Sequence, residues 1–236
     1  MEKILYWAKD RGIQDHGWLK AAHSFSFANY HNPAKVHFGL LRVLNDDIIA
    51  PGMGFGMHEH DNMEIVTIPL RGALAHKDSL GSEGYIGPGE IQVMSAGKGI
   101  RHSEFNGSST DDVNLLQIWV FPKERNIEPR YDQKKFDLEK THNSFLTVVS
   151  PETEGGAMWV NQDAFFSLGN FAIGSAVTYK IKHPGNGAYI FMIEGIAEIS
   201  GEELSKRDAI GVYNTEEIEL KFAENSRVLI IEIPME

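Results

Sequence analysis

Four residues in two short stretches have the types and spacing to hold a metal ion. "GFGMHEHDNMEIV", residues 54–66, carries His58 and His60 two apart; "SAGKGIRHSEFN", residues 95–106, carries His102 and Glu104 two apart. In a β-strand, residues i and i+2 project to one face. Each stretch would therefore present two donors together. Three imidazoles and one carboxylate are borderline donors, suited to iron, nickel, manganese, cobalt, copper or zinc rather than calcium. Four protein donors on an octahedral ion leave positions for a substrate oxygen, water or dioxygen. With 10 histidines in 236 residues, a lone H-x-H pair is a weak signal. The second pair strengthens it, because the glycines at 97 and 99 let backbone approach a neighbour closely.

The elements that must position these residues read as strands. Candidates are Phe38–Leu44, Met63–Leu70, Ile91–Met94, Leu115–Phe121, Ala176–Lys182, Ala188–Ile193, Ile196–Ser200, Ile218–Phe222 and Val228–Ile233. They are rich in β-branched, aromatic and aliphatic residues and are separated by Gly, Asn, Asp and Pro. No long stretch keeps an apolar 3.6-residue period with caps. Many short strands at near-regular spacing predict an all-β sandwich or barrel. The charged segment Pro122 to Ser144 reads as a crossover between two halves. "EIVTIPLRGALAH" around Gly72 and "AYIFMIEGIAEIS" around Gly195 share a strand–Gly–strand design. Superposing the two glycines puts His60 on His183 but His58 on Ile181, as in a duplicated barrel with one functional copy.

Composition limits the function classes. Apolar residues make up 42% and charged residues 23%, as in ordinary globular chains. A core of this size needs no structural metal, so a metal site points to function. With no cysteine, zinc knuckles, thiolate clusters, disulfides and cysteine nucleophiles are excluded. A net charge of −11 with no long basic run argues against direct nucleic-acid binding. No signal-peptide pattern or membrane-length apolar run is present, so a soluble, cytoplasmic protein with no membrane partner is expected.

Other residues have weaker claims. Phe38, Phe55, Met57 and Trp119 are candidates to line an apolar substrate pocket around the metal, although such residues also serve as plain core. His23 reads as a hydrogen-bonded histidine packed between the halves. His16, His31, His37, His76, His142 and His183 have no partner spacing and read as surface or structural. Arg101 should face away from the ligands by strand alternation. Asp46–Asp47 and Asp111–Asp112 read as turns.

The two donor stretches also resemble a family. "GMGFGMHEHDNME", from Gly52 through His58 and His60 to Glu64, is similar to the first cupin motif. "GIRHSEFN", Gly99 to Asn106, is similar to the end of the second. Residues 17–47, "GWLKAAHSFSFANYHNPAKVHFGLLRVLNDD", together with "MSAGKGIRHSEFN" and "PRYDQKKF", resemble the pirins. Seven residues separate Glu64 from Gly72, one more than the general cupin spacing, and Gly97 replaces a usual proline; pirins share such departures.

The resemblance implies a bicupin of two jelly-roll β-barrels. Residues 1–135 would form the metal-binding cupin domain and residues 136–236 a cupin-like domain without metal. It implies His58, His60, His102 and Glu104 as ligands of one divalent metal, with Fe(II) expected and Ni, Mn, Co, Cu or Zn as alternatives. Glu64 is then a buried, hydrogen-bonded carboxylate near the metal. The implied activity is a quercetin 2,3-dioxygenase-like oxidoreductase, cleaving a flavonol with dioxygen and releasing carbon monoxide, with Glu104 as general base. The alternative is a metal- or redox-dependent regulatory pirin acting through protein partners. A cupin acting on another small molecule is a third reading.

Overall fold

The structure is a computed structural model, which describes residues 1–138 and 142–236. Its regular structure is nearly all strand. It opens with β1 (Glu2–Tyr6), β2 (Gly12–Asp15), β3 (Leu19–His23), β4 (Leu41–Ile49), β5 (Gly54–His60) and β6 (Glu64–Arg71). It continues with β7 (Leu74–Asp78), β8 (Glu83–Ile86), β9 (Glu90–Ser95), β10 (Ile100–Asn106), β11 (Val113–Val120) and β12 (Arg130–Lys135). The second half holds β13 (Ser144–Ser150), β14 (Met158–Trp159), β15 (Phe165–Phe171), β16 (Ala176–Lys180) and β17 (Asn186–Glu194). It ends with β18 (Ala197–Ile199), β19 (Glu202–Leu204), β20 (Ala209–Tyr213), β21 (Glu217–Phe222) and β22 (Ser226–Pro234).

Each half is a two-layer sandwich. The first pairs a seven-stranded sheet, β12-β9-β6-β11-β4-β3-β2, with a four-stranded sheet, β5-β10-β7-β8. The second pairs β1-β20-β17-β22-β15-β13-β14 with β16-β21-β18-β19. The two large sheets pack face to face. Val66, Ile68, Ile118 and Val120 of one share a single core with Tyr189, Phe191, Leu229 and Ile231 of the other. Both faces of these sheets are covered, which is why "EIVTIPL" and "AYIFMIE" read as continuous apolar runs instead of alternating ones.

The duplication is visible in the topology. Gly72, at φ 74°, turns β6 into β7, and Gly195, at φ 86°, turns β17 into β18. The four-stranded sheets then follow the same order. On β16 and β21, the counterparts of β5 and β10, Tyr179, Ile218, Leu220 and Phe222 fill a second apolar core. The first barrel places histidines there.

Four expectations need correction. The split at residue 135 fails at the N-terminus, because β1 pairs antiparallel with β20 in the second half's large sheet. Asp46–Asp47 is not a turn; β4 runs straight through it, with Asp46 tied to Arg207 and Asp47 turned into the barrel. Phe38 is 2% exposed but lies in the core between the sheets, against Tyr189 and Tyr213, remote from any pocket around the histidines. It precedes β4, in a bridge to Leu41, on the side facing the other half. Within Pro122 to Ser144, Arg130–Lys135 forms an edge strand beside β9; residues 139–141 of that segment lie outside the described residues. Among the described residues no helix is long and apolar enough to cross a membrane.

Candidate metal centre

The four-stranded sheet of the first barrel carries the chemistry on its inner face. On β10, alternation buries His102, Glu104 and Asn106 and leaves Arg101 exposed, as the spacing predicts. On β5 the alternation is broken. His58 opposes His102 and Phe55 opposes Glu104, so three steps on β5 span two on β10. This is a β-bulge with its extra residue on β5. The bulge turns Phe55 inward beside His58 and leaves Met57 outside, 46% exposed. Met57 is therefore no pocket residue, whereas Phe55 and Trp119 do line the cavity.

The three imidazoles converge. Ring centroids lie 4.4 Å apart for His58 and His102, 4.8 Å for His58 and His60, and 4.9 Å for His60 and His102. Donor atoms of the three lie within 4.8 Å of one another. The Nδ1 of His58 lies 2.8 Å from the Gly56 carbonyl made available at the bulge, so the other ring nitrogen is left for an ion. Both nitrogens of His102 are buried without a hydrogen-bond partner. Burial, then the neighbouring charge of His58, pulls His60 down to about 4. Burial, then His58, His60 and His76, pulls His102 down to about 2. Both rings are thus neutral at pH 7, the state that binds metal.

Glu104 sits one step deeper. Its donor atom groups with those of His102 and His76, not with the full three-histidine set. A chain of polar side chains holds it. Gln92 donates to Thr67, the Thr67 hydroxyl donates to Gln117 Oε1, and Gln117 Nε2 donates to Glu104 Oε2 at 2.9 Å. Oε1 of Glu104 is buried and unpartnered. Burial raises Glu104 to about 7 against the hydrogen bonds that lower it. A buried ring with two orphaned nitrogens and a carboxylate with one free oxygen fit a transition-metal ion.

The cavity at these residues has a volume of about 170 Å³ and is lined by Phe27, Asn45, Asp47, Phe55, Gln117 and Trp119 besides the ligand candidates. Asp47 is 5% exposed, with one unpartnered carboxyl oxygen. Burial, then the charges of Asp46 and Glu104, raises it to about 8, so it holds its proton at neutral pH. Its sequence context, an acidic pair, gave no signal of this. His23 bonds Asn45 through Nδ1 at 2.8 Å. It backs the wall of this cavity and is not packed between the halves. Glu64 is buried and hydrogen-bonded, but to Ser95 and the Asn161 backbone, on the sheet face turned toward the second half. His76, which the spacing leaves as surface or structural, is buried beside His102.

The chain is similar to known proteins over nearly its whole length. A family model described as Pirin matches residues 7–120, and one described as Quercetinase C-terminal cupin domain matches residues 147–233. The chain is 39% identical over 227 residues to a quercetin 2,3-dioxygenase of Escherichia coli strain K12, covering 96% of each. It is 36% identical to a pirin-like protein of Caulobacter vibrioides, covering 94% of this chain and 95% of that one. The crystal structure of the bacterial pirin YhhW from Escherichia coli in complex with nickel(II) superposes with a TM-score of 0.93 at 38% identity, covering 99% of both chains. With two cupin-type sandwiches and matches along nearly its whole length, the chain belongs to the pirin family.

Proposed function

We propose that the chain is a metal-dependent dioxygenase that opens the heterocycle of a flavonol such as quercetin with dioxygen and releases carbon monoxide. The observation that carries this is the convergence of three imidazoles, beside a buried carboxylate, at a cavity walled by aromatic rings. The naming of the Escherichia coli relative supports the substrate class. His58, His60, His102 and Glu104 would hold one divalent ion. Iron(II) is the ion we assign, with nickel(II) the first alternative because a related structure contains it. When bound, the ion supplies Lewis acidity that lowers the pKa of a phenolic hydroxyl.

The chain's own residues do the rest. Phe27, Phe55 and Trp119 offer flat apolar walls to a planar ring system. Asp47, neutral at pH 7, donates a hydrogen bond to a ligand oxygen from its unpartnered end. Glu104, as a ligand able to loosen, accepts the hydroxyl proton at Oε1, its one oxygen without a hydrogen-bond partner. Gln117 holds the other carboxylate oxygen, so that accepting the proton does not require the side chain to turn.

The test is oxygen uptake with carbon monoxide detection, on protein reconstituted with Fe(II) and separately with Ni, Mn, Co, Cu and Zn, with quercetin as substrate. Metal-dependent uptake with one carbon monoxide per dioxygen, lost in His102→Ala, is the expected result. No turnover on protein proven to be loaded would overturn the assignment and favour a regulatory role through protein partners.

A further inference from the structure

The two halves meet at a groove whose charge runs against that of the chain. It has a volume of about 560 Å³ and lies where related positions of the two halves come together. Arg71 ends β6 just before the Gly72 turn, and Glu194 ends β17 just before the Gly195 turn. Asn114 on β11 is the register partner of Arg71, and Arg227 on β22 is the register partner of Glu194. All four border the groove. With Lys206 and Arg207, from the turn before β20, its cations number four against the two carboxylates of Asp46 and Glu194. The chain as a whole carries a net charge of −11.

Both carboxylates are already engaged. Asp46 accepts from Arg207 Nε at 2.7 Å on Oδ2 and from Asn114 Nδ2 at 2.8 Å on Oδ1. Arg11 approaches the same carboxylate with Nη1 at 3.7 Å, and its Nε and Nη1 are buried without a hydrogen-bond partner. Glu194 pairs with Lys206 at 2.9 Å. Among the described residues the side chains of Arg71 and Arg227 have no hydrogen bond or ion pair. Arg227 is half-buried. Burial, then the charge of Arg207, lowers it from the ordinary arginine value, and Glu194 offsets only part of this. Two guanidinium groups held together in one groove raise a positive potential that a bound anion would relieve.

We propose that this groove binds an organic phosphate, with the phosphate between Arg71 and Arg227 and an apolar body against Ile48, Leu70 and Ile193, which form its apolar wall. Two unpaired arginines match the nearly two negative charges of a phosphate monoester at neutral pH. The guanidinium forks also match its oxygens. An apolar wall with a few charged groups, at this volume, is the make-up of a small-molecule site. The groove shares no residue with the metal cavity. Asp46 borders the groove and Asp47 the cavity, so consecutive residues of β4 face different pockets.

The test is calorimetric titration of the full chain, as purified, with phenyl phosphate and with inorganic phosphate at constant ionic strength. Phenyl phosphate should bind more tightly than inorganic phosphate, because only it reaches the apolar wall. Arg71→Gln and Arg227→Gln should each weaken phenyl phosphate binding by about tenfold, and the double variant should abolish it. Glu194→Gln removes a competing carboxylate and frees Lys206, so it should tighten binding. His102→Ala, in the metal centre, should leave it unchanged. Absence of binding to the wild type overturns the proposal. So does binding that His102→Ala abolishes and the arginine variants leave intact, because the anion then sits on the metal. Equal affinity for the two phosphates overturns the organic part. Should Arg227→Gln fail to fold, the exposed Arg71 decides: equal affinity in Arg71→Gln and wild type refutes the site.

Discussion

His102 is the residue on which both donor groups depend, so its removal has an unusual expected profile. Replacing a 1%-exposed side chain by Ala leaves a cavity, which destabilises. It also removes two buried polar atoms that have no partner, which stabilises metal-free protein. The two effects are of similar size, so metal-free His102→Ala should melt within a few degrees of metal-free wild type. Its metal content by elemental analysis should fall below about a tenth of wild type. The acid–base behaviour of Glu104 gives a second prediction. In the metal-free protein burial raises it to about 7, so below that pH an ion must displace a proton from it. Metal affinity should therefore rise with pH, by about tenfold per unit below this point for one displaced proton, and level off above it. Glu104→Gln cannot bind or release that proton. Its affinity should be lower at high pH and its slope near pH 7 flatter, as read by competition with a coloured chelator. An unchanged slope would remove Glu104 from the ion's surroundings.

At the scale of elements, the β5–β10 pairing decides the site. Gly54 leaves no room for a side chain. A Cβ there would strike the Glu104 carbonyl oxygen and approach the Phe105 Cα at 2.5 Å. Gly56, at the bulge itself, has nothing within 4 Å. Gly54→Ala should therefore cost roughly 1–3 kcal/mol of stability and weaken metal binding by pushing β5 away from β10. Gly56→Ala should be near neutral in both, which urea unfolding and metal titration would check. This pairing also shows what the sequence could and could not tell. That His58, His60 and His102 come together was legible from spacing on strands, whereas the grouping of Glu104 with His102 and His76 was not. Phe55 and Met57 looked equivalent because alternation assumes a regular ladder. The bulge that separates them depends on how β5 meets β10, which no local pattern encodes. In the large sheets β4, β6, β9, β11, β17 and β22 were legible as apolar runs, because both faces are buried, whereas the equally buried β15 and β20 were not. Edge elements such as β2, β8 and β12 were not, because half-buried or exposed edge strands carry charged and polar residues. Asp47 and His76 escaped for a related reason: isolated polar residues on a strand give no sign of which face is closed over them.

For the whole molecule, the shared core between the large sheets makes the two halves one folding unit. Arg207, in the second half, bonds Asp46 of β4 at 2.7 Å and Asn114 of β11 at 3.2 Å, and also reaches the Ile193 carbonyl. It is a polar tie across the rim of an apolar interface. Arg207→Ala should cost about 2 kcal/mol. Because the core is common, calorimetry should still show a single transition, shifted down, with no separate melting of one half. A resolved early transition would mean that the barrels are energetically independent.

The pairing of β1 with β20 has a further consequence, during synthesis. Strand β1 leaves the ribosome well before β20 and must wait for it before it can be placed. Everything between them is made while Glu2–Tyr6 has no sheet to join, and closing so long a loop is among the slower steps of folding. Until then the nascent chain trails a free strand, and the half-made second sheet offers an open edge that any other copy could fill. Crowded polysomes should therefore yield strand-exchanged dimers, in which β1 of one chain completes the sheet of another.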